Sequence, residues 1–312
     1  NILNRAGYFR MHTVSGEMTY RFQTSATSIH EFSPLVIEYQ HMNSTTSKFD
    51  SIRVANPYLS VSMQNQFIPK MRYTYTYISP SKYRNPIQWE TTLTEAGNLL
   101  SLGYLATGKK WNDKDKEMFK NPYAQFFKVQ TDFRKTWRIS DKTQLVGHIG
   151  AGILFSYGNS SSAPYNEQFY MGGANSVRAF SARSVGPGSY YSNVDKFSYV
   201  DQTGDMKFLA NLEYRFNIFG HLYGATFLDA GNIWSLKYDS YRTGSQFKLN
   251  HMLKEMATGT GIGIRYDLDF LIIRLDWGIG IHAPYDTTKS GYYNIPKFKD
   301  GQTLHFAVGY PF

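Results

Sequence analysis

A chain of 312 residues is longer than one small domain needs and suits one large β barrel. Its 33 Lys and Arg against 24 Asp and Glu leave a formal net charge of +9. It has no cysteine, which excludes a disulfide framework, Cys-ligated zinc, iron–sulfur clusters and a thiol nucleophile. Aromatic residues make up 17% and charged residues 18%, against about 25% charged in ordinary soluble domains. No run approaches the length of about 18 apolar residues that a membrane helix needs, and the mean hydropathy is -0.42. The first residue is Asn1 and no apolar signal segment follows, so the chain reads as mature, trimmed or a fragment.

Eleven stretches carry a strand pattern, at about 8–24, 28–41, 66–79, 85–98, 124–138, 142–157, 205–218, 221–236, 256–268, 271–284 and 302–312. In 125–137, Phe127, Val129 and Phe133 alternate with Lys128, Gln130, Asp132 and Arg134. In 206–218, Phe208, Leu212, Tyr214, Phe216 and Ile218 oppose Lys207, Asn211, Glu213 and Arg215. In 256–268, Ile262, Ile264, Tyr266 and Leu268 oppose Gly259, Gly261, Gly263, Arg265 and Asp267. In 271–282, Ile273, Leu275, Trp277, Ile279 and Ile281 oppose Arg274, Asp276, Gly278, Gly280 and His282. At the C-terminus, Leu304, Phe306, Val308, Tyr310 and Phe312 oppose Thr303, His305, Ala307 and Gly309.

Alternation alone fits two classes. A soluble all-β protein turns its apolar face inward. An outer-membrane barrel turns it to lipid and its polar face to a wet lumen. The connections separate them. Those near 25–27, 80–84, 139–141, 219–220 and 269–270 are short; those near 42–65, 99–123, 158–204, 237–255 and 285–301 are long. Up-and-down hairpins with short periplasmic turns and long extracellular loops produce this rhythm. Aromatics near strand ends (Tyr73, Tyr75, Tyr77, Trp89, Trp137, Tyr157, Trp234, Tyr310, Phe312) fit an interfacial girdle. The expected fold is an all-β, transmembrane, antiparallel up-and-down barrel in the bacterial outer membrane. Eleven strands is an odd count, whereas bacterial single-chain barrels are even and an open edge in lipid is costly. Either a strand is missed or N-terminal strands lie outside this chain.

The most specific stretch lies in the long loop 158–204: Phe169-Tyr170-Met171-Gly172-Gly173-Ala174-Asn175-Ser176-Val177-Arg178-Ala179-Phe180. It resembles the GG-x-x-S-[VI]-R-[GA]-[FY] signature of the BamA/TamA outer-membrane assembly superfamily, carried there by the sixth extracellular loop, which folds back into the barrel. Arg183 to Tyr190 look most like the TamA side. Asn211 to Phe216 resemble the family's twelfth strand and Phe227 to Trp234 its thirteenth. Gly259 to Asp267 and Arg274 to Gly278 resemble the fourteenth and fifteenth. The terminal stretch with Phe306, Val308, Tyr310 and Phe312 looks like the family's assembly signal and seam strand. The resemblance is strong over about 140–312 and weaker upstream. The family barrel has sixteen strands, so it implies that this chain holds strands six to sixteen. Residues 1–312 would be a C-terminal barrel portion, without strands one to five and the periplasmic POTRA domains.

Residue by residue, Arg178 is the sharpest expectation. A loop guanidinium entering the lumen needs carboxylates, because an unpaired buried charge is expensive. Parity puts Glu213 on the lumen face, and the family pattern puts Asp229 there on the next strand. Two carboxylates would then meet one fork-shaped guanidinium. The bland alternative is a solvated loop arginine. Gly172 and Gly173 suit a sharp loop tip, and Gly186-Pro187-Gly188 a second turn. Arg265, Asp267, Arg274 and Asp276 are expected to form a cross-strand charge ladder on the lumen face. Gly259, Gly261 and Gly263 fail the context of a phosphate loop, having no following helix or Lys-[ST], and are expected to make room for the inserted loop. The run from Gly108 to Lys116 reads as a solvated loop. The eight His show no metal spacing. No nucleophile elbow is present, and the basic residues form no nucleic-acid stripe.

The expectation is a non-enzymatic outer-membrane assembly factor, without metal or cofactor, that assists folding and insertion of β-barrel proteins or translocation of surface proteins. Its implied partners are outer-membrane lipids and lipopolysaccharide, client outer-membrane proteins, and accessory lipoproteins or periplasmic subunits, with no nucleic acid. The alternatives are a two-partner-secretion polypeptide transporter and a passive porin or channel.

Overall fold

Period-2 alternation produces strands here, but their burial is inverted relative to a soluble protein. On the strand Met206–Phe219, the residues Asn211, Glu213 and Arg215 are buried while Leu212, Tyr214 and Ile218 are exposed. The same inversion marks Ala257–Asp267, where Arg265 is buried and Ile262, Ile264 and Tyr266 are exposed. A water-soluble sheet would pay for such an arrangement twice, since apolar area prefers to leave water and charge prefers to stay in it. Lipid against the apolar face removes the conflict.

The computed structural model describes all residues except 1, 6, 7, 56, 81 and 192–201. Part of the predicted loop 158–204 therefore lies outside the described residues. The strands are β1 (Ile2–Arg5), β2 (Phe9–Ser25), β3 (Ser28–Thr45), β4 (Gln66–Ile78), β5 (Ile87–Ala96), a small hairpin β6 (Glu117–Met118) and β7 (Asn121–Pro122), β8 (Phe126–Ser140), β9 (Thr143–Ser156), β10 (Met206–Phe219), β11 (Leu222–Trp234), β12 (Ala257–Asp267), β13 (Ile272–His282) and β14 (Gln302–Val308). Apart from the small hairpin, they form one sheet of 12 strands in chain order. The pairs β1–β2, β2–β3, β10–β11, β11–β12, β12–β13 and β13–β14 are antiparallel. Among the described residues β1 and β14 stand at the ends of that order, so the sheet is not closed.

The eleven expected strands are present within a few residues of their predicted bounds. The twelfth is β1, whose four residues are too few to show a period. The long connections also carry helices that strand periodicity does not reveal: α1 (Ser47–Ala55), α2 (Pro57–Ser62) and α3 (Asn98–Ala106).

The chain divides into two compact units: Asn1–Thr76, Thr91–Gln130 and Ile153–Gln168 form one, and Tyr77–Glu90, Thr131–Gly152 and Phe169–Phe312 the other. In the first unit the run from Gly108 to Asp115 is exposed or half-buried, as a solvated loop requires, and Lys116 departs from that reading. It is buried, and its ammonium donates to the Trp111 carbonyl at 2.6 Å. In the second unit Trp234 is fully buried and donates to Glu255 at 2.6 Å, so it is not a girdle residue. Trp137 and Trp89 are exposed, as a girdle requires.

Candidate functional site: the clamped loop motif

The second unit brings five strands together at one buried polar face. In the β10–β11 register Asn211 pairs with Asp229 and Glu213 with Phe227. Asp229 pairs with Gly259 of β12, Gly263 with Asp276 of β13, and Asp276 with His305 of β14. Alternation turns all the polar members to the same side.

The loop motif lies on that face. Gly172 and Gly173 have φ of +99° and +100°, a region that L side chains rarely adopt. A Cβ at Gly172 would also lie 2.3 Å from the Ser181 carbonyl. The turn closes through Ser176 N–H to the Gly173 carbonyl (3.0 Å) and Gly173 N–H to the Phe180 carbonyl (2.9 Å). The Ser176 hydroxyl accepts from Gly172 N–H at 3.2 Å. Val177 and Ala179 are buried, and Phe180 is half-buried.

Arg178 is fully buried. Its Nε donates to Asp229 Oδ2 at 2.8 Å and its Nη2 to Asp229 Oδ1 at 2.9 Å, a two-pronged pairing. Its Nη1 pairs with Glu213 Oε2. Its own backbone N–H donates to Asp229 Oδ2 at 3.0 Å. The guanidinium lies 3.6 Å from the Phe227 ring centroid. A cation, two carboxylates and an aromatic face thus share one dry pocket, where charge must be matched.

The network runs on. Glu213 also accepts from Arg215 Nε at 2.7 Å and from Arg265 Nη2 at 3.1 Å. Asp276 stands 2.6 Å from Arg265 Nη1 and 2.7 Å from Arg274 Nη1. Asp267 is not brought into this ladder. It sits at the end of β12, where its Oδ1 accepts from Asp269 N–H at 2.9 Å and shapes the turn. The last residue facing the network on that strand is therefore Arg265.

Several contacts were not visible from parity. Arg274 Nη1 donates to the Ala174 carbonyl at 2.9 Å and its Nη2 pairs with Asn175, so the ladder also grips the loop. Asn211 Nδ2 donates to the Ser176 carbonyl at 2.9 Å. On β14 the Thr303 hydroxyl donates to the Ala179 carbonyl at 2.9 Å, and His305 Nε2 is 3.0 Å from the Arg178 carbonyl. Gly259 does make room, since its Cβ would lie 2.2 Å from Ala179 Cβ. Gly261 and Gly263 instead face Phe227 and the Arg265–Asp276 pair. Another close approach to the loop is at Gly278, whose Cβ would lie 2.2 Å from the Arg178 carbonyl.

The terminal stripe departs from strict alternation. Phe306 and Val308 are exposed on β14. The strand then ends at Val308, because Gly309 takes φ +81° and Pro311 has no N–H to donate. Tyr310 covers the Arg215 guanidinium at 4.1 Å, and Phe312 stacks on His148 at 5.1 Å between centroids. Phe312 therefore leaves the apolar stripe that its sequence parity predicts.

The second turn, around Gly186 and Gly188, docks on β11. Gly188 N–H donates to the Ile233 carbonyl at 2.7 Å, and a Cβ at Gly186 would meet Asn232 Oδ1 at 2.3 Å.

The first unit holds the start of the same loop by a separate cluster. Glu167 pairs with Lys70 at 2.6 Å and with Lys128 at 3.2 Å, and Lys70 also pairs with Glu38 at 2.9 Å. Burial alone would raise the Glu167 carboxyl, but the charges of Lys70 and Lys128 hold it down to about 2. Alternation puts Lys128 on the polar face of its strand; Glu167 itself carries no periodic signal.

Comparison with known families agrees with this geometry. Residues 119–312 match the Omp85 superfamily domain. The chain belongs to the Omp85 superfamily. Its fold is similar to solved structures of BamA from Haemophilus ducreyi lacking POTRA domains 1-3 (13% identity, TM-score 0.64) and of CdiB from Escherichia coli (11%, 0.57) and Acinetobacter baumannii (11%, 0.52). The matches cover 98%, 98% and 96% of this chain and 56%, 47% and 42% of those chains. This Omp85 chain thus spans about half the length of the structures it resembles. It is an integral outer-membrane protein of the all-β class.

Proposed function

We propose that the protein assists the folding and insertion of β-barrel proteins, or the translocation of surface proteins, across the outer membrane, and that it does so without covalent chemistry. Residues 1–312 would be the C-terminal part of a sixteen-strand barrel, with the remaining strands and the POTRA domains in the rest of the protein. The observation that carries this reading is the clamp of Arg178 on Glu213 and Asp229. It fixes a loop across the inner face of β10–β13 and against β14. Phe306 and Val308 would present the apolar side of the seam to lipid, and the β13–β14 ladder stops at Val308, which leaves Tyr310 to Phe312 outside it. A strand with few partners is one to which a client strand can add. Membrane lipids and lipopolysaccharide, client barrels, and accessory lipoproteins or periplasmic subunits are the partners this role needs. The TamA-like branch is favoured by the Arg183 to Tyr190 stretch.

A second reading, polypeptide secretion, is favoured by the likeness to the two CdiB structures. A passive channel is disfavoured, since the loop fills the buried face that solute would have to pass. Depleting the protein in its host and quantifying outer-membrane proteins tests all three. Assembly predicts a fall in many unrelated barrels. Loss of one dedicated surface protein would mean secretion, and changed small-solute permeability with no lost barrel would mean a channel.

A further inference from the structure

The second unit has a cavity of about 610 Å³ at the end that carries the short turns. It is lined by five cations, Lys82, Arg84, Arg138, Lys142 and Arg215, against the single carboxylate Asp141. These come from separate places in the chain: the turn between β4 and β5, the end of β8, the turn into β9, and the middle of β10. The wall is built rather than loose. Arg84 donates to the carbonyls of Arg138 and Ile139 at 3.3 Å each, and Arg138 N–H donates to Asn85 Oδ1 at 3.0 Å. Lys82, Arg138 and Lys142 form no ion pair among the described residues and are exposed at the rim.

Arg215 forms the floor. Its side chain is only 9% exposed. Nε is engaged by Glu213, and the Tyr310 ring covers one face of the guanidinium. Nη2 is buried and has no hydrogen-bond partner. Its positive charge nevertheless adds to that of the four rim cations, which favours an anion in the cleft. The lining decides which oxyanion carrier fits. Among the described residues its lining holds no Leu, Ile, Val, Met or Phe, and Tyr223 and Tyr310 are its aromatic members, so acyl chains find little apolar wall to lie on. The cations are spread around a wide opening instead of converging on one point, which suits several charges along a chain better than one phosphate.

We propose that this cleft is a docking site for an acidic, extended polypeptide segment. Carboxylates of that segment would meet Lys82, Arg84, Arg138 and Lys142 at the rim, above the buried charge of Arg215. The cleft stands on its own geometry, whichever proteins are inserted or exported, so its test fails or succeeds separately from the proteomic one. The test uses the full-length protein in nanodiscs of phosphatidylcholine and fluorescence anisotropy of a labelled peptide of alternating Glu and Ser. The peptide should bind, its Gln counterpart should not, and binding should weaken about tenfold as salt rises from about 0.05 to about 0.5 M. The double variant Arg138→Gln/Lys142→Gln changes only rim side chains and should lose about tenfold in affinity at unchanged melting temperature. Equal binding of the Gln peptide, or an unaltered affinity in the double variant, would overturn the proposal. So would binding of short-chain phosphatidylglycerol or of inorganic phosphate, lost in the same double variant, where the acidic peptide does not bind.

Discussion

Loop 158–204 is held in the two units by ion clusters of opposite sense. In the first unit the loop contributes a carboxylate, Glu167, and the sheet two lysines. In the second it contributes a guanidinium, Arg178, and the sheet two carboxylates. The first cluster keeps some water: the side chains of Glu167, Lys70 and Lys128 are 14%, 8% and 16% exposed. Arg178, Glu213 and Asp229 are all at 0%. Dryness sets what a lost partner does. Without Lys70, Glu167 still has Lys128 and solvent. Without Arg178, Glu213 still has Arg215 and Arg265, but Asp229 loses its guanidinium in a sealed pocket, and a buried charge without its partner is the expensive case.

The largest expected effect is therefore Arg178→Ala, at about 3–5 kcal/mol of folding stability. Denaturant titration of the refolded protein measures it, and protease digestion should cut within 158–204 in the variant first. Arg178→Lys should fall between, because an ammonium keeps the charge but not the fork. Next comes Gly278→Ala, expected to cost about 1–3 kcal/mol by overpacking, since its Cβ would meet the Arg178 carbonyl at 2.2 Å. If that variant is as stable as the parent, the loop backbone does not bear on β13.

Glu167→Gln tests the wetter cluster and should cost about 1.5–3 kcal/mol, in the range for hydrogen bonds to charged groups. It also has a pH signature. The folded carboxyl is held at about 2 against an ordinary value of 4.5, so its contribution is complete above 4.5 and is lost as pH falls towards 2. Melting temperature followed through that window should drop in the parent, with the Glu167 share of the drop missing in Glu167→Gln. The smallest effect belongs to Asp267→Asn, outside the ladder, at about 0.5 kcal/mol or less.

Much of this was legible beforehand. Strands β2 to β5 and β8 to β14 follow from period-2 alternation, and the polar face of β10 and β12 follows from parity. Arg178 was legible because its motif is dense and its partners sit on adjacent strands. Three kinds of feature were not. Helices α1 to α3 lie in connections where strand period carries no information. The turn of Phe312 away from the stripe depends on one positive φ at Gly309, which alternation does not encode. Contacts from loop carbonyls, such as Ala174 to Arg274 and Ala179 to Thr303, need the loop path, which no periodicity specifies. Asp267 shows the converse limit: its parity is right, but it sits one step too near the turn.

The clamp's part in function is tested most directly on Arg178→Gln, expressed in a host depleted of the parent protein. Protease protection of loop 158–204 and the abundance of outer-membrane barrels would be followed in the same cells. The clamp account predicts that both fall together. A loop released to protease with barrel abundance unchanged, or a loop still protected without the Arg178 charge, would contradict it.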